Sequence, residues 1–272
     1  MSDECRHGFE AGLCAICYPP KTPETSSAPR ETASRTSTPR ASTRASSRTS
    51  TARGSASVAK PVRVDQMRLY HVTHVRNLPS ILAGGSILSD DLLHDDERSD
   101  AAQIMLSSAE NRAARRRITI EDAAVSAYVP LFLSPDAAVW SSIRSRTPNV
   151  RISAEAARLA PNDFVMLVTS VASLRALDAE VVVADGDAAA GLTRFAADPV
   201  QADRMLARFA LDADDAAQSA AEVLVRDELP LTALSMIGVA SIQLREKVKR
   251  MLADAGLRTK VATYQPWFAP SA

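Results

Sequence analysis

The sequence predicts an α+β fold, on three grounds. Short β-branched runs and short amphipathic segments interleave without a regular βαβ repeat. Neither a Gly-x-Gly-x-x-Gly run nor a phosphate-binding P-loop is present, so neither common nucleotide fold is signalled. Of 272 residues, 46% are hydrophobic and 24% charged, the make-up of a globular domain. Aromatic residues are only 4%, so Ala, Val, Leu and Ile must fill the core. No apolar run approaches the ~20 residues of a membrane span, which argues against a membrane protein. The polar, cysteine-bearing N-terminus lacks a signal-peptide core, which favours the cytoplasm.

The folded body is expected over residues 63–272. Residues 67–75 read as a strand. Residues 77–83 read as a short helix, with Leu78, Ile81 and Leu82 on one face and Gly84-Gly85 closing it. A helix is expected over 101–117, with a basic end. Residues 125–133 have a strand's apolar character, and Pro130 marks an edge or bulge. Residues 164–169 suit a buried strand, 173–177 a short helix, and 181–184 a strand ended by Asp185-Gly186. An amphipathic helix is expected over 199–209. Residues 216–225 carry Glu222 into a strand, and 234–242 form a strand leading into a helix over 244–255. A last strand covers 261–264.

Two further segments precede this body. In residues 1–19, Cys5, His7, Cys14 and Cys17 present four ligands that suit tetrahedral zinc. So short a module cannot bury a core, and metal would supply its folding energy. All three cysteines of the chain lie here, an odd number that argues against a disulfide framework. Residues 20–62 are rich in Ser, Thr, Pro and Arg, with too few large apolar side chains to offset ordering, and read as a disordered linker. Net charge is zero overall, but residues 21–60 carry +6. That basic tether suits either a solubilising linker or weak, salt-sensitive attraction to nucleic-acid phosphates.

Three places in the body could carry chemistry. In Tyr70-His71-Val72-Thr73-His74-Val75-Arg76-Asn77, a strand puts His71 and Thr73 on one face and His74 on the other. The first face could bond the hydroxyls and carboxamide of a nucleotide. Arg112, Arg115, Arg116 and Arg117 form a basic cluster, read either as a solvated helix face or as guanidinium forks for pyrophosphate oxygens. Glu222 stands in the apolar run Ala221 to Val225, where a carboxylate is costly unless paired or exposed on the strand's outer face.

Together these places resemble the DarT family, DNA ADP-ribosyltransferase toxins paired with the macrodomain antitoxin DarG. The matching pieces run in family order over about 68–265. They are Tyr70 to Leu82 with Gly84-Gly85, Asn111-Arg112 with the later arginines, Ala127-Tyr128-Val129-Pro130-Leu131-Phe132, Ala184 to Ala188, and Ala221 to Val225. The resemblance implies the ADP-ribosyltransferase fold, two small sheets clasping NAD with flanking helices. It implies that His71, Thr73, Asn77 and Tyr128 bind NAD, and that Arg112 is the catalytic arginine, which holds the NAD phosphates and helps order the nucleobase. The arginine is placed by counting back from Ile118, with Arg115 and Arg116 as alternatives. Glu222 would act as the catalytic base on single-stranded DNA, and no metal is needed for that step. Residues 133–140, Leu133 to Trp140, depart from the family's Ser-Pro-Met-Leu-like run. A protein or RNA acceptor, or a non-enzymatic zinc-headed nucleic-acid-binding protein, remain the alternatives.

Overall fold

The structure, a computed structural model, describes residues 63–95, 103–211 and 215–270. The expected zinc module, with Cys5, His7, Cys14 and Cys17, and the expected linker over 20–62 lie outside the described residues. In chain order the first elements are β1 (Arg68–His74), α1 (Leu78–Gly84), β2 (Ser86–Leu88), α2 (Asp90–Asp95), α3 (Ala109–Arg117), β3 (Thr119–Ile120) and β4 (Ala123–Ala124). Next come β5 (Tyr128–Phe132), α4 (Ala138–Ser145), α5 (Ala154–Arg158), β6 (Phe164–Ser170), α6 (Val171–Ala176), β7 (Val181–Ala184) and β8 (Phe195–Ala196). The last are α7 (Pro199–Leu211), α8 (Asp215–Ala220), β9 (Glu222–Arg226), β10 (Glu228–Pro230), β11 (Met236–Val239), α9 (Ile242–Asp254) and β12 (Lys260–Thr263).

Eight strands form one sheet in the order β12-β11-β6-β1-β5-β9-β7-β8, and β2–β10 and β3–β4 are separate ribbons. Neighbours are antiparallel except β11 and β12, which run parallel with α9 as their crossover. The expected pair of small sheets takes a particular form here. β1 joins β5 through one pair, Tyr70 with Phe132, whereas β1 and β6 pair along their full length. The sheet is thus two four-stranded halves held by one stitch. Pro130 supplies a reason. It has no N–H to give to β1, and its carbonyl lies 3.0 Å from Nδ1 of the His71 ring. A side chain bridges the gap that the backbone ladder leaves.

Alternation along the strands sorts the apolar residues onto two faces. Leu69, Leu131, Leu167, Val223 and Ile237 belong to one cluster under both halves, closed by Leu244, Val248 and Leu252 of α9. On the opposite face the apolar residues split. Tyr70, Val72, Met166 and Trp140 form one cluster, and Tyr128, Val182, Ala184 and Leu224 another.

Most expected elements are present, with informative differences. Gly85 caps α1 with φ of 77°, a left-handed conformation that suits glycine. The helix expected from residue 101 begins at Ala109, because the Ser108 hydroxyl caps it by accepting the N–H of Asn111 at 3.1 Å. Residues 103–106 are not helical. They lie along the cleft instead, tied to β1 by Asn77. Residues 125–127 form a 3-10 turn, so β5 is shorter than the expected strand. Helix α4, with Val139, Trp140 and Ile143 buried, was not anticipated. No helix among the described residues is long and apolar enough to cross a membrane.

Candidate active site

A cleft of about 490 Å³ opens where the two halves part, within the range of small-molecule sites. Glu222, the first residue of β9, lines it while only 1% exposed. The strand sets it between Phe132 of β5 and Ala184 of β7. Its neighbours Val223 and Val225 turn to the continuous apolar face, so the period of two sends Glu222 to the broken one. Of the two alternatives left by the sequence, a paired and buried carboxylate or an exposed one, the structure shows the first. Arg115 donates to Oε2 at 2.8 Å, Arg151 to Oε1 at 3.3 Å, and the Ala188 N–H to Oε1 at 3.3 Å. Paired in this way, a buried charge becomes tolerable.

Arg115 reaches Glu222 because α3 is anchored at Ser108, about two turns earlier. It is 7% exposed, and its Nη2 is buried with no partner among the described residues. Arg112, one turn back, also lines the cleft, but its Nη1 lies 3.3 Å from Oδ1 of Asp90. Its Nε is buried and unpartnered among the described residues. Arg116 takes the other oxygen of Asp90 at 2.5 Å. The structure therefore brings Arg115 to Glu222, and holds Arg112 and Arg116 on Asp90.

Arg151 was not singled out from the sequence. It lies alone on a loop, 71 residues before Glu222, and no local pattern marks it. The pairing of Ser107 with Ile152 and the bonds of Ser108 to the Val150 and Arg151 carbonyls bring that loop against the cap of α3. Its Nη2 also lies 2.7 Å from Asp187, inside the Asp-Gly segment noted in the sequence.

His71 and Thr73 line the cleft, as does His74 from the other side of β1. Burial holds the His71 imidazole below its ordinary range, against the opposing effect of its bond to the Pro130 carbonyl. His74 accepts the Arg76 N–H at Nδ1, and its Nε2 is buried without a partner among the described residues. The Asn77 amide is heavily committed. It donates to Thr73 Oγ1 at 3.0 Å and to the Ile104 carbonyl at 2.9 Å, and accepts the Ile104 N–H at 2.9 Å. Asn77 thus fastens the 103–106 stretch as a wall of the cleft. Tyr128 contributes lining atoms, but its phenol lies 3.3 Å from Glu180 and 3.3 Å from the Arg226 guanidinium, which also covers its ring. Burial pushes that phenol up, with the Arg226 bond acting against it. Its register partner is Arg226, so the structure does not set its hydroxyl beside Glu222. Among the described residues no cluster of His, Cys, Asp or Glu could hold a metal.

The model of the DarT family, described as the ssDNA thymidine ADP-ribosyltransferase, matches residues 70–269. The fold is similar to that of Thermus sp. 2.9 DarT in complex with ADP-ribosylated ssDNA. The TM-score is 0.59 at 19% identity, over 74% of this chain and 95% of that one. The same Thermus protein in complex with NAD+ gives 0.56 at 20%, over 74% and 96%. Thermosipho africanus DarTG in complex with ADP-ribose gives 0.53 at 17%, over 74% of this chain and 50% of that one. No curated protein matches the chain.

Proposed function

The chain belongs to the DarT family of single-stranded-DNA thymidine ADP-ribosyltransferases, and on that premise we propose that it moves ADP-ribose from NAD to a thymine base. The residues present suit NAD. Arg112 and Arg115 line the cleft, each with a buried guanidinium nitrogen that has no partner among the described residues, and guanidinium forks match diphosphate oxygens. NAD supplies an electrophilic ribose C1′ with nicotinamide as leaving group, and positive charge grows at C1′ as that bond breaks.

Thymine in DNA has one ring N–H, at N3, because N1 holds the deoxyribose. Glu222 takes that proton. The N3 electron pair then forms the bond to C1′, and the pair of the broken C1′–nicotinamide bond leaves with nicotinamide. Arg115 fixes Oε2 of Glu222, so the carboxylate keeps one orientation during the transfer. In this reading Arg112 holds the diphosphate, and His71 and Thr73 lie beside nicotinamide and its ribose. Asn77 and Tyr128 shape the walls.

The observation that supports this reading most is a buried carboxylate, braced by guanidinium groups, lining the cleft one strand from the seam of the sheet. Mass spectrometry of oligonucleotides incubated with the protein and NAD tests it. An ADP-ribose adduct is expected only where thymine is present, and not with Glu222→Gln. Adducts on RNA or protein instead would move the acceptor; no nicotinamide release at all would end the reading.

A macrodomain antitoxin is the corresponding partner, tested by relief of toxicity on co-expression. The N-terminal cysteines and His7 would hold zinc, tested by metal analysis of the full chain. The N-terminal head and the basic tether over 20–62 would concentrate the enzyme at DNA or at a partner protein. Unchanged modification at physiological salt after deleting 1–60 would refute that.

A further inference from the structure

Resting on that reading, we propose that Arg151 and Asp187 form a charge-balanced pair that positions Glu222 and keeps its Oε1 the more loosely held oxygen, the one that accepts the proton. The two oxygens of Glu222 are held unequally. Oε2 receives the short bond from Arg115 at 2.8 Å. Oε1 has two long contacts, each 3.3 Å, from Arg151 and the Ala188 N–H. The same Nη2 of Arg151 lies 2.7 Å from Asp187. At that length the two form a close ion pair, while the directed hydrogen bond of the same nitrogen runs to Glu222, so Arg151 is shared between the two carboxylates.

Both members are fixed from behind. The Arg151 carbonyl accepts the N–H of Ser108, the cap of α3, at 2.8 Å. The loop bearing Arg151 is thereby fastened to the helix bearing Arg115. On the other side, Asp187 Oδ1 accepts the Ala189 N–H at 2.9 Å, and its carbonyl accepts the Ala190 N–H at 2.9 Å and the Thr193 hydroxyl at 2.5 Å. The turn that holds Asp187 also presents the Ala188 N–H to Glu222.

Charge makes the arrangement more than a brace. Glu222 and Asp187 balance Arg115 and Arg151. Transfer builds positive charge at the sugar, and a balanced site does not oppose it. Without the Asp187 charge, Arg151 would turn wholly to Oε1, occupy the proton acceptor and leave the site positive. Arg151 and Asp187 act through Glu222, as positioning residues.

The test uses the full chain, NAD and a thymine-containing oligonucleotide, with kcat and KM measured for wild type, Asp187→Asn, Arg151→Ala and the double variant. Each single change should lower kcat by about tenfold or more, with KM for NAD within about twofold. The double variant should be no slower than the slower single, because both changes act on one oxygen. Arg151→Lys, which keeps the charge but loses the fork, should fall between wild type and Arg151→Ala, and melting temperatures identify any variant that fails to fold. Wild-type kcat in Asp187→Asn, multiplying losses in the double variant, or a rise in KM at constant kcat would each overturn the pairing. An active wild type keeps those outcomes separate from the functional reading; an inactive one defeats both.

Discussion

On one face of the main sheet, Leu69, Leu131, Leu167 and Val223 lie in a single apolar cluster that passes under both halves. On the other, the apolar residues fall into two clusters, one centred on the β1 half and reaching Phe132 of β5, the other on the β5-β9-β7 half. Glu222 shares that second face with Phe132 and Leu224. The same eight strands thus give one side to cohesion and interrupt the other for chemistry. The difference teaches where buried charge can be afforded. The continuous side supplies apolar burial, which drives folding, so the broken side can hold a carboxylate and its cations.

The comparison breaks most sharply at Glu222. Glu222→Gln should cut transfer by roughly 10²–10⁴-fold, the range for removing a general base, and should also lower the thermal midpoint, because the buried Arg115 guanidinium loses its countercharge. Transfer by the folded fraction of that variant at the wild-type rate would mean the residue is structural. The mirror experiment is Leu131→Ala on the continuous face. Leu131 is fully buried, and the change should cost about 2–5 kcal/mol in denaturant unfolding. Rates per folded molecule should hold, and a changed KM for NAD would show that the two faces are not separable.

Acid sharpens the contrast more mildly. The folded state holds the His71 imidazole below its ordinary value of 6.5, mainly by burial. The unfolded chain therefore binds the proton more readily. Stability from this group is complete above pH ~6.5 and is lost as pH falls through and below it. Melting curves at pH 7.5 and 5.5 should differ less for His71→Gln than for wild type. The smallest effect is expected for Tyr128→Phe, which removes the bonds to Glu180 and Arg226 at a cost of about 0.5–1.5 kcal/mol. An unchanged KM for NAD would confine the hydroxyl to structure, and a large rise would place it in the cleft.

Much of this could be read in the residues themselves. The strand bearing His71 and Thr73, the glycine-capped turn after it and the strand bearing Glu222 follow from local periodicity. Pro130 suggested an edge or a bulge; β5 is instead an interior strand, and its ladder to β1 is reduced to a single pair beside Pro130. What stayed hidden depends on distant partners. The arginines of α3 look alike in sequence, and counting favours Arg112. In the fold, Asp90 engages Arg112 and Arg116, and Arg115 is left to meet Glu222. The start of α3 was obscured because residues 101–108 do not oppose a helix locally; Asn77, far upstream, draws Ile104 away. Arg151 carries no local signal at all.

The single stitch between Tyr70 and Phe132 has a mechanical consequence. A sheet resists shear along its ladders, through the sum of its backbone bonds. Across this seam that sum is one pair and one imidazole bridge. The compliant axis of the molecule therefore runs through its cleft. A dinucleotide seated there would span the seam and act as the missing rungs, so that filling the site also stiffens the frame around it.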